Sequence, residues 1–143
     1  MIDAFQDDFG GAGWDALVRA GLSDICSLLP VRSELALPQL AAEGVRVDAA
    51  FVDGSHVFHR VFVDLTYLGE IVRPGGLVIL DDVQWPSVAT AARYFELNLG
   101  WQHEPISTRT RLRAYRLPDP PVVPRFDEFE PFGLTDRPPL PEQ

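Results

Sequence analysis

Two stretches decide the fold: Val47-Asp48-Ala49-Ala50-Phe51-Val52-Asp53-Gly54-Ser55-His56 and Gly76-Leu77-Val78-Ile79-Leu80-Asp81-Asp82. Each is an apolar run that ends in carboxylates. Continuous Val, Ile and Leu runs predict strands of a parallel sheet buried on both faces, and open α/β sheets do their chemistry at the carboxyl ends of such strands. Successive parallel strands joined by one right-handed helical crossover lie side by side, ~4.8 Å apart, so Asp53, Asp81 and Asp82 are expected on one rim. Side chains alternate along a strand, so Asp81 and Asp82 both reach that rim only if the chain turns at or before Asp82.

Outward from this pair the chain alternates between strand and helix patterns. Val57, Val61, Leu65, Leu68 and Val72 recur at spacings of three or four and predict a helix between the two strands. Arg73-Pro74-Gly75-Gly76 ends it. Upstream, Met1 to Phe5 is a short apolar start, and Trp14, Leu17 and Val18 share a helical face that Gly21 terminates. Ile25 to Val31 reads as a strand. A helix then begins at Ser33 and Glu34 and stops at Gly44, with Pro38 expected to delay its regular part. Downstream, Pro86 and Ser87 open a helix that buries Val88, Ala91, Ala92, Phe95 and Leu99 and ends at Gly100. Trp101 to Ser107 and Arg109 to Leu117 are expected to form an antiparallel pair. From Pro118 onward the composition changes, with eight of the 13 prolines in that stretch. Residues 118–143 are therefore expected to be a tail, and 1–117 one domain. Phe126, Phe129 and Phe132 give the tail the means to dock on the core or on a second subunit.

At 143 residues and 46% hydrophobic, the chain is the size of one domain with a real core. A formal net charge of -9 argues against broad contact with nucleic acid or an anionic membrane surface. All 12 basic side chains are arginines, which excludes lysine Schiff-base and P-loop chemistry. Cys26, the single cysteine, allows neither an internal disulfide nor a cysteine zinc site, and its apolar surroundings suit a small buried hydrophobe. No apolar run approaches the ~20 residues of a membrane span and no targeting pattern opens the chain, so a soluble, cytoplasmic protein is expected.

The series Phe51-Val52-Asp53-Gly54-Ser55-His56, a helix with Asp64-Leu65, and Arg73-Pro74-Gly75-Gly76 through Asp81-Asp82 resembles the class I S-adenosylmethionine (SAM)-dependent methyltransferases. Within these it is most similar to methyltransferase family 24, over about Ile2 to Leu117. The resemblance implies a three-layer Rossmann-like sheet, mostly parallel, closed by a C-terminal antiparallel hairpin. It implies SAM as cofactor, a small-molecule or sugar hydroxyl as acceptor, and Mg²⁺ held by Asp53, Asp81 and Asp82. In that family a first strand ends in a glycine-rich turn around the methionine part of the cofactor, and a second ends in an acid that holds the ribose. Asp3 matches the second. The first has no counterpart here, since Gly10-Gly11-Ala12-Gly13 follows no full strand and sits beside Asp7 and Asp8. Two explanations are open: an N-terminally truncated form whose own cofactor binding is weak or absent, or a degenerate member that is a catalytically inactive scaffold or dimerisation module. A missing central strand also implies exposed sheet edges that a homo-oligomer would cover.

Methyl transfer to oxygen is an in-line displacement governed by alignment and by deprotonation of the acceptor. A hard cation on carboxylates lowers the pKa of a bound hydroxyl, and His56, next to Asp53, suits the general base. The bland reading makes these residues turn and cap formers after strands. His59 and His103 read as surface residues, and Arg109, Arg111 and Arg113 as the charged face of a solvated edge strand rather than an anion clamp. A phosphoacceptor receiver domain also combines an acidic pair with a single Asp, but it needs a lysine and places the pair first.

Overall fold

A computed structural model of the chain describes residues 1–106 and 111–133. Four α-helices, α1 (Ala12–Arg19), α2 (Ser33–Ala42), α3 (Phe58–Ile71) and α4 (Pro86–Leu99), accompany four strands, β1 (Val47–Val52), β2 (Val72–Leu80), β3 (Gln102–Glu104) and β4 (Arg113–Arg116). The sheet order is β1-β2-β4-β3. β1 and β2 are parallel, while β4 runs antiparallel to both β2 and β3. This is the mixed α/β fold with a C-terminal hairpin that the pattern and the resemblance lead one to expect, with one parallel and two antiparallel strand pairs among the described residues.

The core forms where α3 and α4 meet the sheet. Val61, Leu65, Leu68 and Ile71 of α3 and Val88, Ala91, Ala92 and Phe95 of α4 are buried against Val78 and Leu80 of β2 and Tyr115 of β4. The predicted spacing of α3 is seen at Val61, Leu65 and Leu68, whereas Val57 precedes the helix and is half exposed, and Val72, though buried, is the first residue of β2. Tyr115 is fully buried, and its hydroxyl donates to Glu96 Oε1 at 2.8 Å. Burial, ahead of the nearby Glu96, pushes the phenol well above its ordinary range despite Arg113 beside it.

At the β1–β2 step the register jumps from Val47↔Val72 to Ala49↔Leu77. Arg73-Pro74-Gly75-Gly76 of β2 stand against the single Asp48 of β1, so the expected break is absorbed inside the strand as a bulge. A Cβ on Gly76 would stand 2.6 Å from Val72 Cγ1 and 2.7 Å from the Asp48 carbonyl, so only glycine fits there.

Four expectations are corrected by the structure. Ile25 to Val31 forms no strand; it contributes a single parallel bridge, Leu29 to Ile2, after a 3₁₀ turn at Ser23–Ile25. Ladder bonds on one side alone do not hold it extended, and Ile25 is 82% exposed. α2 starts at Ser33 and runs through Pro38, which removes one intrahelical bond without ending the helix, because Ala36 and Leu37 are buried against its neighbours. β1 is not buried on both faces: it is an edge strand, and Phe51 on it is 60% exposed. β4 is an interior strand rather than a solvated edge, since Ala114 and Tyr115 are packed inside.

Within the tail, residues 118–133 contain turns but no helix or strand. Phe132 packs on Tyr94 and Phe62, with ring centroids 5.3 and 6.4 Å away. The Asn98 side chain pairs with the backbone of Glu130 in both directions, at 3.0 and 2.8 Å. Phe126 is 98% exposed. Among the described residues no helix is long and apolar enough to cross a membrane.

Candidate functional site

The register carries the two predicted strand ends to one place. Val52 pairs with Leu80, so Asp53 and Asp81 are the next residues on neighbouring parallel strands. The Asp81 N–H donates to the Val52 carbonyl at 2.9 Å, which extends the ladder by one bond. The chain then turns at once: Asp82 has φ 58°, a left-handed conformation that Asp tolerates better than most residues. Trp85 N–H closes the turn on the Asp82 carbonyl at 3.0 Å, and α4 follows. Both members of the acidic pair therefore stay at the rim.

Asp82 is the hub. It is buried, and its Oδ2 lies 2.7 Å from His56 Nε2. Its Oδ1 accepts from Gln84 Nε2 at 2.7 Å. Asp81, also buried, accepts the Asp82 N–H on Oδ1 at 2.7 Å. Arg111 reaches both acids, with Nε 3.0 Å from Asp81 Oδ1 and 3.4 Å from Asp82 Oδ1. His56 is half exposed, lies beside Trp85 with ring centroids 6.3 Å apart, and is held by Ser87 Oγ, which donates to its carbonyl at 2.6 Å.

Of the residues expected to meet, Asp53, His56 and Asp82 each offer one ligand atom, all within 4.8 Å of one another. Asp81 is on the same rim but outside that group, turned to Arg111 and to the Asp82 N–H. Asp3 lies elsewhere, just after the Ile2–Leu29 bridge, and accepts the Phe5 N–H on Oδ1 at 2.9 Å. His59 and His103 are exposed. Arg113 is paired with Glu96, and Arg109 lies outside the described residues.

The donor set suits a hard or borderline divalent cation: two carboxylates, one imidazole and open solvent access through exposed Asp53 and His56. Gln84 touches Asp82, yet its Oε1 is buried and has no hydrogen-bond partner among the described residues. A buried carbonyl oxygen left so is costly unless a donor or cation satisfies it.

Gln84 and Arg111 were not singled out for this rim by sequence. Gln84 sits in a turn with no periodic signal, and Arg111 is sequence-distant from the acids, so only the β2–β4 pairing brings it near. Gly10 and Gly11, both at positive φ, form the turn into α1.

A family model described as a methyltransferase domain, methyltransferase family 24, matches residues 1–83. The fold matches the apo structure of a TDP-rhamnose 3'-O-methyltransferase of calicheamicin biosynthesis with a TM-score of 0.60 and 16% sequence identity. The match covers 80% of this chain and 57% of that one, so the chain spans little more than half the length of that structure. No curated protein sequence matches.

Proposed function

Since the chain belongs to the methyltransferase-domain family 24, we propose that it carries the acceptor-activating rim of a SAM-dependent O-methyltransferase, acting on a sugar or other small-molecule hydroxyl. The observation that supports this most is the convergence of Asp53, His56 and Asp82 at the carboxyl ends of β1 and β2. The structurally similar rhamnose O-methyltransferase is consistent with a sugar acceptor.

Asp53 and Asp82 are the residues suited to hold Mg²⁺, and the chemistry such an ion supplies when bound is polarisation of an acceptor hydroxyl. Asp82 orients His56 through Nε2, which leaves Nδ1 to take the hydroxyl proton. SAM, when bound, would supply the methyl group from its sulfonium and leave as the thioether, and His56 would hold the proton given up by the acceptor hydroxyl. Trp85 lies beside His56, with the ring planes 23° apart.

The test is transfer of a labelled methyl from SAM to nucleotide-linked sugars by the purified protein, with and without Mg²⁺. SAM is supplied in large excess over the protein. A labelled ether that disappears with a chelator is the expected result. His56→Ala should lower the rate about 10²-fold or more, the usual size of a general-base contribution, with little change in SAM affinity. Transfer that is indifferent to both Mg²⁺ and His56 would contradict the assignment.

A second reading is a methyltransferase-fold scaffold or dimerisation module without activity. It is favoured by the glycine tract, which leads from a 3₁₀ turn at Gln6–Phe9 into α1 rather than from a strand. Calorimetry with SAM separates the two, since the scaffold reading requires no binding at any concentration.

A further inference from the structure

Arg111 is the one basic side chain among the described residues that touches both members of the acidic pair. Its Nε is 3.0 Å from Asp81 Oδ1 and 3.4 Å from Asp82 Oδ1. The two carboxylates are only 9% exposed, whereas the Arg111 side chain is 61% exposed, so it reaches them from the solvent side. Its backbone is pinned independently of these ion pairs, because the Val83 N–H donates to the Arg111 carbonyl at 3.1 Å. The residue is therefore anchored against the β2–α4 turn while its guanidinium remains able to swing out.

Adjacent buried carboxylates repel each other unless a positive charge intervenes. Arg111 supplies a single charge, and it uses the Asp82 oxygen that Gln84 also contacts. A divalent cation at Asp53, His56 and Asp82 would stand within a few ångströms of that guanidinium and repel it. We propose that Arg111 is the built-in counter-ion of Asp81 and Asp82 and competes with a divalent cation for them, so that this arginine sets how tightly the rim holds metal. The proposal rests on the reading of the rim as a cation site. It makes Arg111 a positioning residue that yields to the metal, not a clamp for an anionic substrate.

Mn²⁺ titration followed by electron paramagnetic resonance, on the wild-type protein, R111Q and R111K, tests it, with circular dichroism confirming that each variant is folded. R111Q should bind Mn²⁺ about tenfold tighter or more than wild type, because a repelling charge is gone, while R111K should stay near wild type because the charge remains. Equal or weaker binding by R111Q, with wild type still binding, would overturn the competition and leave the cation site standing. No binding by any of the three would overturn the cation site and this proposal together. If R111Q does not fold, the Arg111 Nε–H signal in the nuclear magnetic resonance spectrum of wild type decides: faster solvent exchange as Mg²⁺ is added is expected, and an unmoved signal at saturating Mg²⁺ contradicts release.

Discussion

At the scale of single residues, two buried carboxylates play opposite parts. Asp82 has its oxygens engaged by His56, Gln84 and Arg111, which is how a buried charge is tolerated. Asp64, on α3, is as deeply buried but keeps Oδ1 without a hydrogen-bond partner among the described residues. Burial raises its pKa above the ordinary value of 3.8; a hydrogen bond with Ser33 at the start of α2 works against the rise, and Glu34 adds to it. A carboxyl whose folded pKa exceeds its unfolded pKa favours folding below the unfolded value and loses that contribution as pH rises through the folded one. Asp64→Asn, which keeps a side-chain oxygen for Ser33 but cannot ionise, should thus be at least as stable as wild type at pH 7. The advantage should vanish near pH 3, where both forms are neutral. Urea melts at the two pH values check this, and a pH-independent loss of stability in the variant would contradict it.

The lesson at the scale of elements is that a strand pair and its crossover position a site through one tight contact. β2 bulges over Arg73 to Gly76, and this bulge sets the Val52–Leu80 pairing that aligns Asp53 with Asp81. Gly76 lies where any side chain would meet the Asp48 carbonyl and Val72. Gly76→Ala should cost about 1–3 kcal/mol, the usual cost of overpacking, measured as a lower urea midpoint. An unchanged midpoint would show that the bulge can relax. The strand-end acids were legible in the sequence because period and composition both mark β1, α3 and β2, and adjacency of parallel strands follows from chirality. Their partners were not legible. Arg111 belongs to the connection between β3 and β4, and its meeting with Asp81 depends on β4 pairing with β2, a long-range choice that local pattern does not encode. The failed strand at Ile25 to Val31 has the same origin, since an apolar run becomes a strand only when another strand pairs with it along its length.

For the molecule as a whole, an open sheet edge and the packing of the segment around Glu130 and Phe132 on α3 and α4 are two different solutions to apolar exposure. Phe132 and the Asn98–Glu130 pairing cover the aromatic surface of Phe62 and Tyr94 from within the chain. At β1 the outer edge instead presents Phe51, 60% exposed, beside backbone groups that can pair with another strand. Self-association through this edge is expected, and Phe51→Lys should shift sedimentation towards the monomer. Association unchanged by the substitution would place any interface elsewhere.

The most direct measurement of the central claim is an anomalous difference map from crystals grown with MnCl₂. The expected result is a peak within coordination distance of Asp53 and Asp82 and beside His56, with the Arg111 guanidinium drawn away from Asp82. A fully occupied Mn²⁺ elsewhere, with this rim carrying no peak and Arg111 still paired to both acids, would contradict it.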